Sequence, residues 1–509
     1  MIVQSQGRIA HRYFSQDPIA EQLMTTDMPA DGVSVGPEND RLKVDDGQNP
    51  VAAPDENGNM LYPPTDPRFD QVQTFAAARR SLSFFQRHLG REPEWAFGRE
   101  QMLIHPHAGN TINAYYNRQE GSINFYTHHD TELGKVINSG HSAEVVCHEA
   151  GHALLDGVRP EWLNCLEDAT GGFHESLGDV VAFLVAMEEP RNLDKLILET
   201  GGDLKRHNSV AKLAEEVSRA LWDELNVERP HHDYLRNAIN PLINADPRTL
   251  PLDPPDENQL GRAVHNYARV MTGAMWDVLD SLNRQNQAQG LDNRASLERA
   301  RDRLAALFVR SLDFAPVGHL PSYGHIVQAM LEVDRRDFGG QHAEMLVNLF
   351  RARNIHPPAT LPVPALCLPE DPRCFLESHR EELGVGQTPL EFSRSYRNDR
   401  GETFLVYRYD RPVPVEGGAR ALAQGGLLLV FDPDGKLSYR HFNEITPEVE
   451  ATLAEAVQAQ MAQGAIRTDA LLEGPPSSQD LLQEDGRPYQ GYLAAEQGEV
   501  WVRASPVRA

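Results

Sequence analysis

The chain has 509 residues, with 48 Lys and Arg against 74 Asp and Glu, and so carries a formal charge of −26. Its 40% apolar and 24% charged residues are typical of a globular protein with a sizeable core. The charge argues against nucleic acid and anionic membranes as partners, because both select basic surfaces. Since no run of about 18 apolar residues is present, we also expect no membrane insertion.

The cellular location is predicted from the first residues and the cysteines. The segment MIVQSQGRIAHRYF lacks the basic start and apolar core of a secretory signal. Four cysteines form no disulfide framework, and we expect free thiols, although Cys367 and Cys374 could pair across a Pro-rich loop. We therefore expect a cytoplasmic protein, with leaderless export as the alternative. The sequence leaves the oligomeric state open.

The first part of the chain divides into an arm and a β-rich lobe. Residues 1–67 are predicted to form an irregular N-terminal arm, because residues 28–67 are rich in Pro, Gly, Asp and Asn. Apolar residues follow helical spacing over residues 68–89, and strand-like segments lie between residues 102 and 126. We assign residues 68–157 to a β-rich lobe that ends in a helix.

The rest of the chain is predicted to contain a helical lobe, a linker and a small domain. Helical patterns dominate from residue 142 to about residue 353, and we place the helical lobe at residues 158–360. A Pro-rich linker at residues 361–384 precedes an α+β accessory domain at residues 385–509. That domain carries no motif with catalytic chemistry.

One predicted helix, residues 142–157, contains a candidate metal motif. Ser142 can cap its start and Gly157 can end it, so the sequence HEAGH is predicted to be helical. His148 and His152 are four residues apart, share one helix face and can both ligate one Zn²⁺. Glu149 lies about 100° further round the helix, where a general base for an activated water belongs.

A second helix, predicted to begin near residue 171, supplies a third ligand. Glu175 and Asp179 are four residues apart and share a face beside an apolar stripe, where a structural helix has no use for carboxylates. Glu175 completes a His₂Glu set, and Asp179 can accept the second ring N–H of a ligating histidine. A pair of structural histidines and a solvated acidic face remain the alternatives at this point.

These motifs resemble the thermolysin family of zinc metallopeptidases, among the gluzincins. The resemblance covers about residues 68–355 and rests on segments in the family's order: NAYYN at 113–117, HEAGH followed by Asp156, HESLGD at 174–179, LRNAINP at 235–241 and VHN at 264–266. It implies an α+β fold, a two-lobed zincin with a β-rich N-terminal lobe and a helical C-terminal lobe. The C-terminal α+β appendage lies outside the resemblance.

The resemblance also implies roles for residues beyond the metal ligands. Asn113 and the main chain of Ala114 would hold a peptide substrate by β-augmentation. Arg236 would bond a substrate carbonyl on the leaving-group side. His265 would donate a hydrogen bond to the oxyanion of the transition state.

The predicted function is a zinc metalloendopeptidase that acts on internal bonds of peptides or proteins. Val145 and Leu235 match positions of the family's primed-side pocket, so we expect an apolar residue just after the cut. One alternative is an exopeptidase on the same zinc site. Another is a catalytically weak or inactive zinc-binding protein that interacts with peptides.

Several positions depart from the family pattern. No tyrosine lies between His152 and Glu175, where the family has one near the oxyanion, and Trp162 is the nearest aromatic residue. Leu260 stands where the family has an acid that orients the oxyanion histidine. His174 replaces the usual asparagine before the zinc glutamate.

A calcium site is a further expectation that the sequence leaves open. Glu144 stands where the family has an acidic calcium ligand. The acid expected eleven residues after the zinc glutamate is Ala186, with Glu188 and Glu189 just beyond. We therefore predict Zn²⁺ as the cofactor, with Ca²⁺ as an optional second ion.

Overall fold

The structure is a computed structural model of the chain. It describes residues 7–20, 22–30, 32–47, 49–130, 134–224, 234–252, 254, 256–477, 479–483 and 488–508. A sheet lobe and a helical lobe share the main hydrophobic core, and a second sheet follows them along the chain. The predicted two-lobed α+β fold is confirmed.

The N-terminal arm contains three strands: β1 (Arg8–Tyr13), β2 (Met24–Pro29) and β3 (Leu42–Val44). The first two form an antiparallel two-stranded sheet, and β3 pairs in parallel with β4 (Met102–Gly109) of the β-rich lobe. The prediction of an irregular arm is therefore wrong over these segments. Backbone pairing orders them, and apolar side chains such as Ile9 are fully buried.

The β-rich lobe consists of one helix on a mixed sheet. The helix, α1 (Pro67–Leu89), begins where Asp66 accepts a hydrogen bond from the backbone N–H of Arg68 and ends at Gly90, whose φ of 78° suits glycine. The remaining strands of the lobe are β5 (Ala114–Asn117), β6 (Ser122–Asp130) and β7 (Lys135–Asn138). β6 lies between β5 and β4, and β7 pairs with β6.

The helical lobe follows with eight helices in the described part of the chain. They are α2 (Ala143–Val158), α3 (Asp168–Ala186), α4 (Pro190–Thr200), α5 (Glu215–Glu224), α6 (Val264–Ala288), α7 (Asn293–Phe314), α8 (Tyr323–Phe338) and α9 (Ala343–Ala352). Two short strands, β8 (Lys212–Leu213) and β9 (Arg236–Asn237), pair antiparallel, with α5 between them in the sequence. α3 packs against both α2 and α6, so α2 lies between the sheet and the helices.

The C-terminal region forms a second sheet with its own apolar core. Its elements are α10 (Pro372–Ser378), β10 (Glu391–Arg397), β11 (Thr403–Pro414), β12 (Arg420–Phe431), β13 (Leu437–Asn443), α11 (Pro447–Ala462), β14 (Ile466–Leu472), β15 (Gly491–Glu496) and β16 (Glu499–Ala504). The strand order is β10-β11-β12-β16-β15-β14, with β13 paired to β12. The hydroxyl of Tyr439 donates to the carbonyl of Phe314 at 3.0 Å, which links this sheet to the helical lobe.

The last strand, β17 (Val507–Arg508), leaves the second sheet and joins the first. It pairs antiparallel with β5, so the sheet of the β-rich lobe has the order β17-β5-β6-β4-β3. Pairing between strands therefore crosses the boundary predicted for the accessory domain at residues 385–509.

Two sequence expectations concern the chain as a whole. In the part of the chain that the structure describes, no helix has the length and apolar content needed to cross a membrane. All four cysteines are free: Cys147 and Cys165 are buried, whereas Cys367 and Cys374 are exposed. The expectation of free thiols is thus confirmed.

Candidate metal centre

α2 carries three of the predicted site residues into the interior. The helix begins after Ser142, although the Ser142 side chain makes no capping hydrogen bond. His148, Glu149 and His152 are only 6%, 3% and 0% exposed. Ionisable side chains are seldom buried to this degree without a partner or a bound ion.

α3 packs against α2 at two glycines. A Cβ at Gly151 would lie 3.0 Å from the Cα of Gly178, and a Cβ at Gly178 would lie 2.6 Å from Nδ1 of His148. The missing side chains let the two helix backbones approach and bring Glu175 to the histidines. Sequence reasoning missed both glycines, and the only signal for them is their place beside the motif residues His152 and Asp179.

The three predicted ligands lie together. Nε2 of His148 is 3.3 Å from Oε2 of Glu175, and Nε2 of His152 is 3.7 Å from Oε1 of the same residue. One ligand atom from each of the three lies within 4.8 Å of the others. Atoms that bind one tetrahedral Zn²⁺ at about 2.0–2.1 Å stand roughly 3.3–3.4 Å apart, so the donor set and its spacing fit this ion.

These ligand atoms have no well-formed hydrogen bond within the described structure. They are Nε2 of His148, Nε2 of His152 and Oε2 of Glu175, and all three are buried. An unsatisfied buried polar atom costs about 1–3 kcal/mol. A cation bound by all three residues would remove this cost, so the group could hold a metal ion.

Asp179 orients His148 from behind. Its Oδ1 lies 3.1 Å from Nδ1 of His148, which turns Nε2 towards Glu175. Arg236 donates its Nε–H to the same Oδ1 at 3.0 Å, and Thr272 donates its hydroxyl to Oδ2 at 3.2 Å. Sequence reasoning missed Thr272, because a threonine within a long helix gives no signal by itself.

The two histidines have opposite pKa shifts. Burial lowers the pKa of His148, but the carboxylates of Asp179 and Glu175 beside the ring outweigh burial and raise it to about 9. Burial lowers the pKa of His152 to about 3. Burial alone would raise the pKa of Glu175, yet the neighbouring histidines hold it well below its usual range. The ionised Glu175 and neutral His152 are in the forms that bind metals, and a cation would compete with the proton on His148.

Glu149 lies beside this group and is not part of it. The backbone of Tyr116 in β5 lies close to its carboxylate. Its Oε2 is buried and has no hydrogen-bond partner among the described residues. Burial raises the pKa of Glu149 to about 8, so this carboxylate takes up a proton readily.

His265 lies on the first turn of α6. Its Nε2 is 3.2 Å from Oε2 of Glu175, and half of its side chain is exposed, so the ring lies between the metal group and solvent. Leu260 is buried in the core. Glu257, an acid three residues before Leu260, accepts a hydrogen bond from the hydroxyl of Tyr234. The orientation of His265 therefore does not come from an acid at position 260.

β5 is fixed to α2 at one end. The hydroxyl of Tyr116 and the Nε–H of Arg118 both donate to Asp156 at 2.7 Å. At the other end, Oδ1 of Asn113 accepts a hydrogen bond from the backbone N–H of Ala114 at 2.9 Å. The strand predicted to hold a peptide is thus attached to the helix that carries the histidines.

The predicted pocket residues lie at the edge of the main core. Val145 is 9% exposed, one turn before His148 on α2, and Leu235 packs partly buried against the same core. Trp162 is fully buried with its ring edge-on to Phe173 at 5.5 Å between centroids. Trp162 is therefore part of the core packing.

The predicted calcium residues have protein partners. Glu144 is buried and accepts hydrogen bonds from Nε2 of Gln16 and the backbone N–H of Ala214, both at 3.1 Å. The two acids after Ala186 form ion pairs, Glu188 with Arg87 and Glu189 with Arg80. Calcium binding stays a prediction.

Comparison with known proteins adds one structural likeness. No protein-family model matches the chain, and no curated protein matches it. Among solved structures, the chain is similar to the precursor of protealysin, a metalloproteinase from Serratia proteamaculans, with a TM-score of 0.35 and 12% sequence identity. The match covers 70% of this chain and 90% of that one. A likeness at this level does not decide the family.

Proposed function

We propose that this protein is a zinc-dependent endopeptidase that hydrolyses internal peptide bonds. The observation that carries the proposal is the group of three buried ligand atoms, with the buried Glu149 beside it and the strand β5 packed against α2. A structural metal site has no need of a further, unligated carboxylate next to it, whereas hydrolysis needs a base there.

His148, His152 and Glu175 would hold the Zn²⁺, and Asp179 would keep His148 in the ligating orientation. When bound, the ion would act as a Lewis acid that polarises a peptide carbonyl and makes water acidic enough to attack it near neutral pH. Three protein ligands leave a fourth coordination position for this chemistry.

Glu149 moves the proton. Its carboxylate would take a proton from the attacking water and later deliver it to the nitrogen of the leaving amine. Glu149 is 3% exposed and directly follows His148 on α2, so its carboxylate lies close to the metal group, where both transfers would occur.

His265 and Arg236 act on the substrate carbonyl groups. His265, half-exposed and 3.2 Å from Glu175 through Nε2, would donate a hydrogen bond to the oxygen that gains charge as water attacks. Arg236 would bond a carbonyl on the leaving-group side, held by its bond to Asp179. Removing such a donor costs roughly 3–4 kcal/mol in the transition state.

The substrate is proposed to be an extended peptide. Asn113 and Ala114 of the β5 edge would pair with its backbone, and this mode of binding is independent of sequence. Val145 and Leu235 would offer an apolar pocket to the residue just after the cut. Cleavage-site mapping on a peptide library tests this part, and a preference for polar residues at that position would contradict it.

The test of the function is cleavage of casein and of a quenched peptide, together with zinc content. We expect bound zinc of about one per chain, cleavage that 1,10-phenanthroline abolishes, and no cleavage by Glu149→Gln although zinc remains. Glu161→Gln is the matched control, because Glu161 is 1% exposed yet lies outside the metal group. Undiminished turnover by Glu149→Gln would overturn the mechanism.

The other two functions give different results in the same assay. A zinc-binding protein without catalysis would contain zinc, bind peptides and show no cleavage that depends on Glu149. An exopeptidase would release terminal residues and leave peptides with blocked ends intact.

A further inference from the structure

The edge of β5 already has a partner within this chain. β17 pairs antiparallel with it, with Val507 opposite Asn117 and Arg508 opposite Tyr116. Just before, the backbone N–H of Arg118 donates to the carbonyl of Pro506 at 2.9 Å. We call residues Ser505–Arg508 the tail strand.

The tail strand is anchored on both faces. Val507 is 1% exposed and packs in an apolar cluster with Tyr115, Tyr126 and Leu481. On the other face, the guanidinium of Arg508 donates to the carbonyl oxygens of two residues in the α2–α3 connection, Leu163 at 3.2 Å and Cys165 at 3.4 Å. These contacts make the tail strand a fixed part of the described structure.

The tail strand ends beside the metal group. Its last pairing is with Tyr116, whose hydroxyl donates to Asp156, one turn after His152 on α2. The guanidinium of Arg508 bonds the α2–α3 connection, which joins the two helices that carry the metal ligands.

β5 runs along α2 in the same direction, and this shows which side of the cleaved bond the tail strand covers. The start of β5 lies near the start of α2, because the hydroxyl of Ser139 donates to the carbonyl of Asn113 at 2.7 Å. The end of β5 lies near the end of α2, where Tyr116 bonds Asp156. Val145, proposed to receive the residue after the cut, is on the first turn of α2, at the end of β5 away from the tail strand.

We propose that the tail strand occupies the part of the peptide-binding edge that would receive residues on the amino side of the cut. This inference rests on the proposed function, since the pocket at Val145 defines the two sides. A strand edge offers one row of N–H and C=O groups, so a peptide and the tail strand compete for Tyr116 and Asn117. The covalently linked competitor has an effective concentration in the millimolar range.

The substrate class is thereby narrowed. With the tail strand in place, the site accepts peptides that have few residues before the cut. A long peptide cut at an internal bond must displace the tail strand first. The restriction on peptide length and the need to displace the tail strand both reduce internal cleavage. Neither changes Glu149 or a ligand of the metal.

The first test removes everything after Ala504. The probe is a quenched peptide with an acetylated amino end, several residues before the cut and an apolar residue after it. We expect kcat/KM for this peptide to rise at least about tenfold in the shortened protein, mainly through a lower KM. The control is Arg503→Gln, which breaks the partly exposed ion pair with Glu496 and lies outside the tail strand. An unchanged or lower kcat/KM in a shortened protein with unaltered thermal unfolding would overturn the proposal.

A second variant keeps the length of the chain. Val507→Asp places a charge in the buried cluster and should expel the tail strand, because an isolated buried carboxylate is costly. A synthetic peptide with the sequence of residues 504–509 should inhibit the shortened protein more strongly than the full chain. Equal inhibition of both proteins, or no gain with Val507→Asp, would contradict the proposal even if the shortened protein failed to fold.

Binding separates this proposal from the proposed function. A fluorescent peptide is titrated into Glu149→Gln with and without the tail strand, and its Kd requires no turnover. Tighter binding without the tail strand, combined with no cleavage by any variant, would support the tail proposal and refute the peptidase. Cleavage by the full-length and shortened proteins that keep Glu149, combined with equal Kd values for the two Glu149→Gln proteins, would support the peptidase and refute the tail proposal.

Discussion

Gly178 lies against the ring of His148 so closely that a Cβ there would stand 2.6 Å from Nδ1. The contact joins the two helices that carry the metal ligands. Because the neighbouring atom belongs to a buried aromatic ring, the ring cannot give way without moving its Nε2 away from Glu175. The position of one ligand thus depends on the absence of a side chain on the other helix.

Replacement of this glycine should weaken metal binding. In Gly178→Ala, the new methyl group pushes the imidazole of His148 out of line with Glu175, and we expect zinc affinity to fall by at least about tenfold. Competition with a chromophoric chelator measures the affinity, and circular dichroism checks the fold. Wild-type zinc affinity in a folded Gly178→Ala protein would show that the helices can separate at no cost.

Asp179 should contribute to zinc affinity through His148. Asp179→Asn keeps the size of the side chain but removes the charge opposite Nδ1, and loss of such a partner typically costs 10–100-fold in metal affinity. Thr272→Val is the matched control, because it removes a bond to the other carboxylate oxygen and leaves the His148 contact intact. Asp179→Asn should bind zinc clearly more weakly than Thr272→Val. An equal loss of zinc affinity in both variants would show that disturbed packing, and not the contact with His148, causes the loss.

The bond between β5 and the end of α2 should matter for stability. Tyr116→Phe removes one hydroxyl donor and should lower the free energy of unfolding by about 1–2 kcal/mol. Asp156→Ala also leaves the guanidinium of Arg118 without its buried partner, and such losses cost about 3–5 kcal/mol. Urea denaturation of the zinc-free proteins measures both. A smaller loss for Asp156→Ala than for Tyr116→Phe would contradict this account.

Stability should also depend on pH through His107. Its two ring nitrogens lie 2.8 Å from Asp46 and 2.7 Å from Asp70, and although burial lowers the pKa of His107, these hydrogen bonds raise it to about 9. The folded protein then binds this proton more tightly than the unfolded chain does. The stabilisation is fully present below about pH 6.5, the unfolded pKa, and is lost as pH rises through about 9.

The pKa of His107 is about 2.5 higher in the folded protein than in the unfolded chain, which corresponds to at most roughly 3 kcal/mol of folding free energy. His107→Gln should remove this part of the pH dependence, as measured by urea denaturation between these limits. His105→Gln is the control, because His105 lies on the same strand and contacts only a backbone carbonyl in the described structure, that of Asp45. If the free energy of unfolding of His107→Gln changed with pH as it does in the wild type, His107 would not be the source of this pH dependence.

Sequence reasoning reached the parts of the site that local geometry controls. A helix places residues four apart on one face, so the pairing of His148 with His152 followed from spacing alone. The predicted helix over residues 68–89 agrees with α1 for the same reason, since its apolar period and capping residues are local. Glu175 and Asp179 are predicted to complete the histidine site because a pair of carboxylates beside an apolar stripe suits a metal site better than a structural helix.

Other features had no local signal. Strand β3 lies within residues 28–67, whose Pro and Gly content predicts an irregular arm, because composition does not reveal pairing with a distant segment. Similarly, Leu260 at the place of an orienting acid left the surroundings of His265 undetermined until its contact with Glu175 was known.

The sequence by itself determined the chemistry of the candidate site, namely two imidazoles, two carboxylates and a flanking glutamate on two helices. Only the tertiary structure decided how these groups meet, through the close contact of Gly178 with His148 and the bond between His148 and Asp179. It alone also decided that Val507 and Arg508 pair with the strand beside the site. The physical reason is that helix faces are set by neighbours in the sequence, whereas backbone pairing between strands is open to any extended segment, and burial of the whole chain selects the partner.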